Sequence, residues 1–71
     1  MFRVLTRIRT GYGGAVIHDV QLQAVTTGNL IWSQSFSYAH EAERCRDEVQ
    51  ADLEGLDEAG FRRRWRLPAN L

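Results

Sequence analysis

From Phe2 to Arg9 polar and apolar residues alternate, with Phe2, Val4 and Ile8 on one side and Arg3, Leu5, Arg7 and Arg9 on the other. A period of two predicts a strand. GYGG at 11–14 predicts a turn. Residues 15–26 are again β-rich, with Val16, Val20, Leu22 and Ala24 sharing one face. TGN at 27–29 predicts a second turn, and LIWSQSF at 30–36 a third strand with Leu30, Trp32 and Phe36 on one face.

Loop length tests whether these faces meet, because a one-residue slip turns every side chain over. A five-residue loop from Thr10 to Gly14 pairs Ile8 with Val16, Val4 with Val20 and Phe2 with Leu22. A three-residue loop from Thr27 to Asn29 pairs Ala24 with Trp32 and Val20 with Phe36. Glycine-containing loops of three to five residues are ordinary hairpin connections. Both hairpins agree on one apolar face, which predicts an antiparallel meander with residues 15–26 in the centre. His18 is expected beside Thr6.

Beyond residue 37 the period changes. Ala42, Cys45, Val49, Leu53 and Leu56 recur at steps of three or four, predicting a helix over about 38–54. Ser37 is the expected N-cap, with Glu41 and Glu43 suiting the positive end of the helix dipole. Gly55 is the expected left-handed residue at its end, with Leu56 folding back on the last turn. Asp57 then caps a short helix over about 58–66, in which Phe61 and Trp65 face one way, and Pro68 marks its stop. A fourth strand over 61–67 is the competing reading. It requires Asp57 and Glu58 at the C-terminal end of the long helix, where acids are unfavourable. The fold class is therefore α+β: one domain over 1–71, ordered βββαα, with the long helix on one sheet face.

Seventy-one residues can bury only about 60% of the unfolded chain's surface. Cys45 is the only cysteine, so no disulfide staples the core; at apolar helical spacing it reads as a small buried hydrophobe, suited to a reducing cytoplasm. Arg3, Arg7 and Arg9 interrupt the N-terminal apolar run, so neither a signal peptide nor a membrane span is expected. Net charge is zero but segregated. Residues 1–38 hold Arg3, Arg7 and Arg9 against Asp19, residues 39–60 hold the other eight acids, and the tail holds Arg62, Arg63, Arg64 and Arg66. A neutral total disfavours non-specific polyanion binding, while segregation permits a local basic patch.

Candidate chemistry is sparse. GYGG lies between strands, whereas a phosphate cradle needs a helix N-terminus behind its glycines. His18, His40 and Cys45 are the soft ligands present, and they fall on different elements or faces, so no metal site is expected. Ser33, Ser35 and Ser37 alternate as a solvated strand face does, and no serine or cysteine adjoins an oriented base. No catalytic residue, cofactor or small-molecule substrate is inferred, and the chain is not expected to be an enzyme.

The second sheet face is more informative. It presents Arg3, Arg7, Arg9, Gln21, Gln23, Ser33 and Ser35, together with Leu5, Ile17 and Ile31. Arginine, glutamine and serine reach phosphates and base edges from a sheet laid in a groove. Arg62, Arg63 and Arg66 are auxiliary candidates for the same contacts, although FRRRWRLP at 61–68 reads first as an amphipathic end-piece, with Phe61 and Trp65 inward and the arginines paired to Glu54 or Glu58. Leu5, Ile17 and Ile31 support a second reading, in which they form the apolar centre of a protein interface. DNA, a second copy of the chain and another protein stand as candidate partners.

GNLIWSQSFSYAHEA at 28–42 resembles the end of the arm-type (AP2-like) DNA-binding domain at the N-terminus of tyrosine recombinases. In that family three strands precede one helix and the junction often reads Phe-x-Thr-x-x-Glu-Ala. Phe36, Glu41 and Ala42 fall at the matching positions, with Tyr38 in place of the Thr. The resemblance implies a sheet laid in the DNA major groove, and by analogy contacts from Arg3, Arg7, Gln21, Gln23 and Ser33.

Overall fold

A computed structural model of the chain describes residues 2–67. Strands β1 (Phe2–Thr10), β2 (Val16–Ala24) and β3 (Leu30–Phe36) form one antiparallel sheet in the order β1-β2-β3. Helix α1 (Ala39–Gly55) crosses one face, and helix α2 (Glu58–Arg64) follows. This is the expected α+β arrangement, with helix rather than strand over 61–64. The stop assigned to Pro68 lies outside the described residues.

The register differs from expectation by two residues in each hairpin. Val4 pairs with Leu22 and Ile8 with His18; on the other side Leu22 pairs with Trp32 and His18 with Phe36. Turn geometry explains both shifts. Gly13 and Gly14 take φ of 69° and 81°, which glycine adopts without strain, so the first loop is Gly11–Ala15 and pairing runs on to Thr10 and Val16. In the second hairpin Gly28, at φ 77°, donates its N–H to the Ala24 carbonyl, while Ala24 N–H bonds Asn29. β2 therefore ends at Ala24. A shift of two leaves each residue on its face, so Val4, Val20, Leu22 and Trp32 keep the core side, but Ile8 and Val16, expected there too, lie at the loop end of the hairpin and are 71% and 52% exposed.

One irregularity does turn residues over. A bulge opposite Leu22 and Gln23 sets Leu30 against Gln23 and leaves Ile31 as the extra residue. Leu30, expected on the core face, is 55% exposed. Ile31, expected on the open face, lines a recess with Phe2, Ala24 and Arg62 on the helix side.

Val20, Leu22, Ala42, Val49 and Phe61 are buried, with Phe2, Val4, Trp32, Cys45, Leu53, Trp65 and Leu67 packed around Leu22, Val49 and Phe61. Burial raises the Cys45 thiol pKa above its usual range, with Glu48 adding to the effect. The α1 stripe is as the spacing predicts up to Leu53, but its ends are not. Tyr38, not Ser37, occupies the N-cap position, and no side chain caps there. Gly55 is the last helical residue and lacks positive φ; the helix closes through Leu56 N–H to Asp52, leaving Leu56 exposed.

Helix α2 is too short to persist alone and is held from several sides. Asp57 Oδ1 accepts the Gly60 N–H at 2.7 Å, the expected cap. Phe61 stacks on Phe2 at 5.6 Å between ring centroids, and Trp65 meets Trp32 edge-on at 5.5 Å. The Trp65 indole N–H donates to Asp52 at 3.0 Å, so the buried end of the ring keeps a partner. The helix closes with the Schellman pattern: Leu67 N–H bonds the Arg62 carbonyl and Arg66 N–H the Arg63 carbonyl. The left-handed position falls on Arg66, at φ 55°.

Candidate nucleic-acid interface

Pairing across the three strands builds the open face in rows. Arg3 lies opposite Gln23, which faces Leu30; Leu5 opposite Gln21, which faces Ser33; Arg7 opposite Asp19, which faces Ser35; and Arg9 opposite Ile17. Arg3, Arg7 and Arg9 thus stand on one edge strand, with steps of about 6.8 Å per residue pair.

Two of the three arginines are held by neighbours. Arg3 Nε donates to Gln23 Oε1 at 2.7 Å, and Gln23 Nε2 donates to the Gly28 carbonyl at 2.9 Å. Arg9 Nε donates to Asp19 Oδ2 at 2.7 Å, and Ser35 Oγ donates to Asp19 Oδ1 at 2.6 Å. Both guanidiniums are engaged through Nε, which leaves their terminal nitrogens able to donate outward. Arg7, Gln21 and Ser33 make no side-chain hydrogen bond among the described residues.

Asp19 is the residue that sequence reasoning passed over. It is only 4% exposed although no helix covers this face; the screen is a thin one of neighbouring side chains, Arg9 and Ser35 among them. The Arg9 hydrogen bond, then that from Ser35, holds its carboxyl below the usual 3.8, outweighing the opposing effect of burial; the charges of Arg9 and Arg7 act in the same direction. Asp19 shares the odd-numbered parity of Ile17, Gln21 and Gln23, so its place on this face was open to inference. One carboxylate among three guanidiniums leaves the face positive but moderates it.

The α2 arginines are not brought to this face. Arg62 lies over the Phe2 ring at 5.0 Å and pairs with Glu58 at 3.7 Å. Arg64 pairs with Glu48 and Asp52 and stacks on Trp65 at 4.6 Å. These contacts make the tail the end-piece expected of it: the expected Glu58 pairs with Arg62, while on α1 the partners are Glu48 and Asp52 and not Glu54. Arg63 and Arg66 line a recess with Ala59 and Leu67, formed by α2 and the turn that ends it. Leu5 and Ile17 are half-buried on the open face but separated by the Arg7–Asp19 row, and the bulge takes Ile31 to the other side. The three aliphatics do not form one patch.

Among the described residues no helix is long and apolar enough to cross a membrane. No family model matches the chain, and no curated protein or solved structure matches it either.

Proposed function

We propose that the chain is a small non-enzymatic module that binds nucleic acid, DNA first of all, through the open sheet face, and that it acts in the cytoplasm. One observation carries the reading. Arg7, Gln21 and Ser33 sit at neighbouring positions on all three strands with no side-chain hydrogen bond among the described residues, between Arg3 and Arg9 with their terminal nitrogens to spare. Arg3, Arg7 and Arg9 are assigned phosphate contacts. Gln21 is the base reader, with Ser33 beside it; Gln23, tied at both ends of its amide, orients Arg3. The outer strands lie about 10 Å apart across the sheet, which suits a major groove about 12 Å wide. Arg63 and Arg66 would serve a second stretch of backbone at most. The kinship with arm-type domains belongs to the same proposal, supported by the order of three strands before a helix. A single cysteine kept as a thiol suits a reducing compartment.

The test is fluorescence anisotropy of a labelled duplex at low and physiological salt. Three phosphate contacts predict a slope of log affinity on log salt near −2.7, or roughly 40-fold weaker binding on going from 50 to 200 mM salt. An Arg3→Ala, Arg7→Ala double variant should lose most of that slope. Absence of binding to duplex or single strand at low salt overturns the reading.

A further inference from the structure

The two edges of the sheet are built differently. β1 carries Arg3, Arg7 and Arg9, and laying it against a second β1 sets guanidinium rows side by side. Charges of this kind are how edge strands discourage pairing. β3 has no such guard. From Val20 to Ala39 the chain contains no Asp, Glu, Lys, Arg or Pro. The bulge lies at the start of β3, and from Trp32 to Phe36 its pairing with β2 is regular.

We propose that β3 is a dimerisation edge: a second copy of the chain pairs with it antiparallel, the two-fold axis passing at Gln34, to make one six-stranded sheet. In that register Gln34 meets its own counterpart, Trp32 lies opposite Phe36 of the second copy, and Ser33 lies opposite Ser35. Aromatic and hydroxyl cross-strand pairs are favourable, and two-fold symmetry makes each occur twice. A slip of one residue opposes faces wrongly, and a slip of two sets an aromatic ring against the Gln34 amide.

The flank of β3 suits the same partner. On the helix side a recess beside Gln34 is floored by Phe36 and Trp65 and rimmed by two acids, Glu41 and Glu48, and two arginines, Arg44 and Arg64. The rim carries no net charge, so two copies bring acids and arginines together without repulsion. With five apolar residues buried among the described residues, the domain gains needed burial this way. None of this rests on nucleic-acid binding: a six-stranded sheet is about 24 Å across, wider than a major groove of about 12 Å, so the dimer and a groove-bound single chain are alternative states. Gln34 lies on the opposite side of the sheet from Arg3 and Arg7.

Sedimentation equilibrium of the full chain from micromolar to millimolar concentration tests it. The mass should rise from 8.1 kDa toward twice that value. Gln34→Lys and Gln34→Glu, at an exposed position, should each keep the native circular dichroism and raise the dimer dissociation constant about tenfold. An equimolar mixture of the two variants should restore the dimer. In the unaltered chain, β3 amides should gain hydrogen-exchange protection with concentration, a reading independent of any variant. A monomer throughout, a dimer indifferent to both variants, or a mixture that stays monomeric overturns the proposal.

Discussion

Arg66 occupies the one left-handed non-glycine position among the described residues, and replacing it with glycine should stabilise the protein. A residue with a Cβ in this conformation costs about 1–2 kcal/mol. Glycine removes that cost but adds about 0.5–1 kcal/mol of unfolded-chain entropy. The balance is a gain of about 0.5–1 kcal/mol for Arg66→Gly. The Schellman bonds use the backbone of Arg62, Arg63, Arg66 and Leu67 alone, so they survive the change. Arg66 has no ion pair among the described residues to set against the gain. For a domain of this size the shift in Tm should be about 2–8 °C upward, readable by circular dichroism or calorimetry. Arg66→Ala keeps the Cβ and serves as the control: it should match the parent or fall below it. A glycine variant no more stable than the alanine variant would refute the account of this helix end.

Phe61→Ala should cost about 3–5 kcal/mol by emptying the centre of the core, a large share of the whole stability of a chain this small; urea unfolding measures it, and a loss under 1 kcal/mol would mean that α2 does not seal the core. Gly60→Ala brings a Cβ within 2.9 Å of Asp57 Oδ1, the atom that caps α2, so despite alanine's helix preference it should lower Tm, with a penalty of about 1 kcal/mol; a stabilised variant contradicts the cap. Asp19 has a folded pKa below its unfolded 3.8, so its contribution is complete above that pH and is lost as pH falls through the folded value; acid titration should show stability falling below pH 3.8, and Asp19→Asn should flatten that part of the curve. At neutral pH Asp19→Asn also removes the one carboxylate from the open face, so duplex affinity should rise; an unchanged or lower affinity counts against that face as the interface.

Periodicity determined the three strands and the long helix and, away from the bulge, which way their residues face; the short helix was read from the Asp57 cap and the helix dipole. Alternation separated Val20 and Leu22 from Arg3, Arg7, Gln21 and Gln23, and that separation withstood two-residue errors in both hairpins because parity is unchanged by an even slip. The α1 stripe from Ala42 to Leu53 and the Asp57 cap are local patterns and were equally legible. Register was not, since it depends on where successive glycines accept positive φ, and several loop lengths satisfy the same alternation. The bulge that exchanges Leu30 and Ile31 between faces leaves no mark in the pattern of residue types. Nor could spacing foresee that Asp19 gathers Arg9 and Ser35, that Trp65 finds Asp52, or that Arg66 rather than a glycine ends α2. Those are meetings between segments distant in sequence, or, at Arg66, the backbone closure of a helix end. Tertiary structure decides them because a side chain's partner depends on three-dimensional neighbours, while its face, wherever the ladder is regular, follows from its place in a local repeat.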